Sequence, residues 1–225
     1  MKKTLLLISI LALSTAMMAQ GPFAGLLVRP QSAWILNDDD FDSGDFDLGI
    51  PFSVAFGLQG GYMFSESIGL ELQFISSSQG QIYVDDNGDE LATITNKYFK
   101  IPLLFRLRSG AGKAGFLLNA GPQIGFLTSS SIDLTEEPSE SIADSKDFYN
   151  STEFSFLLGI GANIMITEYL SLDLLINIDA SLTEIESDFG KENLYDNGEN
   201  GRAAARNALV GFSVGLSYVF TSSGD

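Results

Sequence analysis

Few residues in this 225-residue chain have types and spacings that could do chemistry. Histidine and cysteine are both absent, which excludes an imidazole base, a thiolate nucleophile, a disulfide and the usual His/Cys metal ligands. Asp173 and Asp179 are a conceivable acid–base pair, but six residues of extended chain separate two side chains by roughly 20 Å. We therefore predict a non-enzymatic protein with no catalytic residue, no cofactor and no metal site, and no specific small-molecule ligand is inferred.

Six charged residues share one property: each lies on the polar face of a segment that alternates apolar and polar residues. They are Arg29, Glu71, Lys100, Arg106, Asp173 and Asp179. If that face is enclosed, the charges must pair, because an unpaired buried charge costs several kcal/mol. We predict a structural charge network. A proton or ion path is the alternative interpretation.

The elements that carry these charges are predicted to be β-strands. In "ALVGFSVGLSYVF" (208–220), for example, the bulky apolar residues alternate with Gly and Ser, which is the period of a strand. Eight segments show this pattern with differing clarity: 24–36, 52–64, 68–74, 96–108, 114–126, 154–166, 170–182 and 208–220. Most exceed the ~5–6 residues of a typical soluble strand and reach the ~9–11 that cross a bilayer.

The connections between these segments alternate strictly between long and short. Three are very short: 65–67, 109–112 and 167–169. Four are long and polar: 37–50, about 79–92, about 130–152 and 186–206. Outer-membrane barrels pair short periplasmic turns with long outer loops. The chain is therefore predicted to be an all-β, eight-stranded, antiparallel, up-and-down transmembrane β-barrel.

The polar faces indicate which side of the wall meets lipid. A soluble lipocalin-like carrier also has eight strands, but its water-facing exterior should be rich in Lys, Glu, Asp and Thr. Here the polar face is mostly Gly, Ser, Asn and Gln, which suits a narrow lumen, and the apolar face is bulky throughout. We predict that the apolar face contacts outer-membrane lipid and that the six charges form a lumen charge network.

The N-terminus indicates export. Lys2 and Lys3 precede an apolar run and then small residues, the pattern of a cleaved secretory signal peptide over 1–19. The barrel domain is then 20–225, in the cell outer membrane. The net charge of −17 argues against a nucleic-acid partner.

Three segments of the chain resemble the PorT-like outer-membrane β-barrel family of Bacteroidetes-type bacteria. They are "YFKIPLLFRLR" (98–108), "NAGPQIGFL" (119–127) and "IGLELQFISSSQG" (68–80). The resemblance implies an eight-stranded outer-membrane barrel and no single activity. One branch of the family assists a protein-secretion system, so a secretion accessory is an alternative function, as are a narrow channel and, less favoured, a barrel enzyme.

The long loops are acidic and carry the remaining candidates. Asp38, Asp40 and Asp42 alternate like the start of a calcium loop, but the glycine and glutamate that an EF-hand requires are missing. Asp85, Asn87 and Asp89 form a second acidic group, which Asn-Gly makes more typical of a hairpin turn. Four loop aromatics could contact a protein partner: Phe41, Phe46, Phe148 and Tyr149. We predict that the outer loops carry any interaction specificity.

Overall fold

A computed structural model describes residues 21–42, 47–109, 112–135, 141–193 and 202–220. The predicted signal peptide over 1–19 lies outside these residues. The elements, in chain order, are β1 (Pro22–Leu36), α1 (Asp38–Asp42), β2 (Asp47–Gly49), β3 (Phe52–Met63), β4 (Ile68–Val84), β5 (Glu90–Arg108), β6 (Ala114–Leu134), a 3₁₀ turn (Lys146–Phe148), β7 (Thr152–Met165), β8 (Leu170–Ser181), α2 (Asp188–Asn193) and β9 (Arg206–Val219). Neither helix in this part of the chain is long and apolar enough to cross a membrane.

The long strands close into a ring. Within the described residues, each of the eight long strands pairs antiparallel with its neighbours, and β1 completes the ring by pairing with both β3 and β9. The three-residue strand β2 adds to the outer end of β4. The predicted eight-stranded up-and-down barrel is thus confirmed.

The distribution of side chains is the reverse of that in a soluble protein. Phe56, Ile176 and Leu26 expose 62%, 60% and 64% of their surface, whereas most of the buried side chains in the described part of the chain are polar or charged. An apolar exterior of this kind is stable in hydrocarbon and costly in water. The wall therefore faces lipid, and the alternative of a soluble lipocalin-like carrier is wrong.

The predicted loop over about 79–92 is wrong, because most of it belongs to strands. β4 continues to Val84 and β5 begins at Glu90, so the connection is a turn of five residues. The outward residues of this extension include Ser78, Thr93 and Thr95. Polar side chains are tolerated at these positions if this part of the two strands extends beyond the bilayer. The outward positions 76, 78 and 80 of β4 carry no apolar side chain, so the alternation pattern of the sequence is interrupted there.

The Asn-Gly interpretation of the same turn is confirmed. Gly88 has a φ of +87°, which favours glycine. The Asp85 carboxylate accepts hydrogen bonds from the backbone N–H groups of Asp89 and Asn87 at 2.8 and 2.9 Å. These bonds, with that from Asp89 contributing most, hold the pKa of Asp85 below its usual value.

Candidate functional site: the lumen charge network and the outer cap

All six charged residues of the lumen charge network lie inside the barrel and are almost fully buried. Arg29 is on β1, Glu71 on β4, Lys100 and Arg106 on β5, and Asp173 and Asp179 on β8. Strand alternation accounts for this placement, since each of them is flanked by residues that face lipid. The network divides into two clusters along the barrel axis.

The first cluster centres on Arg106, near the short turns. Its guanidinium binds Glu71 at 2.6 Å and takes both carboxylate oxygens of Asp173 at 2.8 and 2.9 Å. Amide groups satisfy further lone pairs, as when Asn163 donates to Asp173 at 2.5 Å and Asn119 to Glu71 at 3.2 Å. A bidentate arginine between two hydrogen-bonded carboxylates is the geometry that a buried ion pair requires.

The second cluster centres on Lys100, closer to the long loops. Its ammonium group lies 3.0 Å from Asp179 and 3.4 Å from Glu153. Gln123 donates to Asp179 at 2.7 Å, and Asn207 donates to Glu153 at 3.3 Å. This second carboxylate was missed by the sequence analysis because Glu153 precedes the first residue of the predicted strand 154–166. The strand begins at Thr152, and its alternation points Glu153 inward.

Arg29 lies apart from both salt-bridge clusters. Its guanidinium donates to the Gln73 side-chain oxygen at 3.5 Å, and among the described residues no carboxylate lies within 4.0 Å of it. Gln73 in turn donates to Glu71 at 2.5 Å. Arg29 is thus connected to the Arg106 cluster through an amide, not through a direct ion pair.

The outer end of the barrel forms a second structured region, which we call the cap. Its core is a cluster of buried apolar residues contributed by the strand ends and the loops: Ile35, Tyr83, Ile94, Ile132, Tyr149, Ile185 and Ala205. Leu48, Leu91 and Phe148 pack against this core. The described parts of the long loops therefore contact one another through this core.

A buried ion cluster holds three parts of the cap together. The Arg202 guanidinium binds both Asp40 oxygens at 2.8 and 3.0 Å and both Glu186 oxygens at 2.8 and 3.1 Å. The Tyr83 hydroxyl donates to Asp40 at 3.0 Å. Burial, together with the adjacent Asp40 carboxylate, raises the pKa of Tyr83 far above its ordinary value. We call this group the Arg202 clamp.

The two candidate calcium loops take other conformations. Asp38 and Asp40 lie in the short helix α1, and Asp40 is bound by Arg202. Asp85 closes the turn described above. Within the described ranges, no group of three or more acidic, His or Cys side chains could hold a metal ion.

The predicted loop aromatics differ in how far they are exposed. Phe41 is 59% exposed, whereas Tyr149 is only 3% exposed and belongs to the cap core, so its assignment to a contact surface is wrong. Tyr149 is buried because the chain after the 3₁₀ turn packs inward against Ile185. Phe148 stacks on Phe189, with ring centroids 5.4 Å apart. Phe46 lies outside the described residues.

The closed ring of eight strands, with its apolar exterior and its ion-paired interior, is the architecture of a transmembrane β-barrel. The sequence matches the family model described as "Outer membrane protein beta-barrel domain" over residues 5–220, and the chain belongs to this family. This places it in the outer membrane, as predicted. No curated protein matches the sequence.

Solved structures of outer-membrane barrels share the fold at low sequence identity. The outer membrane protein OprG from Pseudomonas aeruginosa is 15% identical, with a TM-score of 0.51, and the match covers 91% of this chain and 98% of OprG. Neisserial surface protein A is 10% identical, with a TM-score of 0.51 and coverage of 89% and 97%. At these identities the similarity establishes the fold alone.

Proposed function

We propose that this protein is a non-enzymatic outer-membrane barrel with a plugged lumen, and that its cap presents an interaction surface to a protein partner. The cap is the observation that carries the proposal. If the long loops served only to connect paired strands, they would need neither an apolar core nor the buried Arg202 clamp. An ordered loop cluster loses little conformational entropy when a partner binds.

The lumen chemistry supports a structural role for the charge network. Lys100 and Arg106 each bind two carboxylates, so these acidic groups are already paired with basic side chains of the protein. An eight-stranded barrel has room for little more than its own side chains. The chain has no histidine and no cysteine, which further disfavours catalysis.

We also infer a PorT-like relationship and a cleaved signal peptide over 1–19. The first rests on the three segments 68–80, 98–108 and 119–127. They lie on the consecutive, mutually paired strands β4, β5 and β6, as expected if this three-strand part of the barrel was inherited as a unit. Export to the outer membrane supports the second inference, and the N-terminal sequence of the mature protein tests it.

The partner surface is tested by removing exposed aromatics from the cap. Phe41 and Phe189 are 59% and 52% exposed, so the double variant Phe41→Ser/Phe189→Ser should insert normally. Affinity-tagged protein, cross-linked in intact cells, should recover at least about tenfold less partner, because truncating a central aromatic costs about 2 kcal/mol or more.

Phe64→Ser is the matched control. Phe64 is 39% exposed but lies at the short-turn end, so partner recovery should not change. Heat-modifiable migration on gels checks that each variant is a folded barrel. Unchanged recovery from the folded double variant would refute the proposed surface.

A further inference from the structure

The barrel wall has an interruption between β3 and β4. These strands pair from Met63↔Gly69 up to Phe56↔Ser76, and the pairing with β4 resumes only at Gly49↔Ile82 of β2. Between these points, residues 77–81 of β4 have no strand partner on this side among the described residues. Pro51, which lacks an N–H group, occupies the break.

Side chains close this interruption in place of a backbone ladder. The Ser78 carbonyl oxygen accepts hydrogen bonds from the Ser53 hydroxyl at 2.8 Å and from the Gln31 amide at 3.0 Å. The Gln81 side chain accepts the Ile35 N–H at 3.2 Å. The wall is therefore held here by a few side-chain bonds, which rearrange more readily than a continuous ladder.

A cavity of about 130 Å³ lies in the interruption and is lined from both faces of the wall. Ser53 and Gln79 reach it from the lumen side, and Ser78, Thr93 and Thr95 from the outer side. Gln79 is only 4% exposed, yet neither its amide nitrogen nor its amide oxygen has a hydrogen-bond partner among the described residues. A buried amide without partners is costly, so a bound group with both a donor and an acceptor would be stabilised here.

An apolar groove of about 640 Å³ lies on the lipid side, beside this cavity. It runs across the outer faces of β1, β3, β4 and β5, between Leu26 and Val28 on one side and Phe74 and Phe99 on the other. Ser76 lines the groove and Ser78 lines the cavity. These two outward residues are roughly 7 Å apart along β4, so a single molecule could reach both spaces.

We propose that this groove and cavity together bind one single-chain amphiphile with a small, uncharged, hydrogen-bonding head group, such as a monoacylglycerol or a long-chain amide. The chain lies in the groove, and the head enters the interruption and bonds to Gln79. The volume of the groove is within the range of ligand sites, about 300–1,000 Å³. No ionisable side chain lines either space, so a charged head would be desolvated without a counter-charge.

The test is photolabelling of the purified barrel in detergent with a monoacylglycerol that carries a diazirine at mid-chain. Labelled peptides should come from 22–36, 52–63, 68–84 and 90–108, the four strands that line the groove. Gln79→Leu should weaken the apparent affinity about tenfold, the value of one well-placed hydrogen-bonding group. It should leave the fold intact, because the Gln79 side chain makes no hydrogen bond within the described residues.

Two controls make the result specific. Phe56→Ala removes a groove wall and should weaken labelling, whereas Phe156→Ala, also lipid-facing but on β7, should not. An alkyl sulfate of the same chain length should compete poorly. Labels spread evenly around the barrel, an unchanged affinity of Gln79→Leu, or equal competition by the sulfate would overturn the proposal and leave the cavity as a water site.

Discussion

Arg106→Met is expected to lower the free energy of unfolding by about 3–5 kcal/mol, because it removes the cation from a buried ion cluster and leaves two carboxylates without it. Arg106, Glu71 and Asp173 have side chains that are 5%, 1% and 5% exposed, so water cannot replace the lost guanidinium. Urea titration of the barrel in lipid vesicles, followed by tryptophan fluorescence, measures the loss.

Arg108→Met is the matched control on the same strand. Arg108 also faces the lumen near the short turns, but within the described residues no carboxylate lies within 4.0 Å of it. Its replacement should cost less than about 1 kcal/mol. A triple variant, Arg106→Met with Glu71→Gln and Asp173→Asn, should recover most of the stability, because no charge is then left unpaired. Equal losses for Arg106→Met and Arg108→Met would contradict the structural role of the network.

The Arg202 clamp is expected to control the order of the cap in the same way. Arg202→Met leaves the Asp40 and Glu186 carboxylates without their common cation; their side chains are 4% and 0% exposed. The cap should therefore open about a hundredfold more often, while the membrane-spanning strands remain folded. Cleavage by an endopeptidase specific for acidic residues reports this opening, since its rate follows the population of the open form.

Lys191→Met is the control for the clamp. Lys191 forms an ion pair with Glu184 in the same cap, but the two side chains are 22% and 32% exposed, so the pair contributes at most about 1 kcal/mol. Its loss should accelerate cleavage less than about fivefold. A cap that is digested at the same rate in both variants would show that the clamp does not hold it closed.

The barrel itself was predictable because lipid imposes one rule on every strand. Wherever both faces carry opposite chemistry, as in 208–220 or 170–182, alternation gives the strand, its orientation and the inward position of Asp173 and Asp179. The rule ends where the strands leave the membrane. The next outward residues of β4 beyond Phe74 are Ser76, Ser78 and Gly80, which carry no apolar side chain, so its extension to Val84 was mistaken for a loop.

The cap was not predictable because its contacts are between residues far apart in the sequence. Arg202 binds Asp40 across 162 residues, and no local pattern relates an arginine in one loop to an aspartate in another. Glu153 was missed for a local reason, because β7 begins two residues before the predicted strand 154–166. The pairing within the lumen likewise follows from barrel closure, which brings β5 and β8 side chains together across the interior.

Planar-bilayer recording of the purified protein tests the central claim most directly. The claim is that the lumen is plugged and that the protein functions through the cap and not as a pore. The interior is filled by the ion-paired clusters of Arg106 and Lys100, and the outer mouth by the cap core. We predict no stable conductance of porin size in the wild-type protein. A steady, well-defined open level would contradict the account and make a narrow channel the leading function.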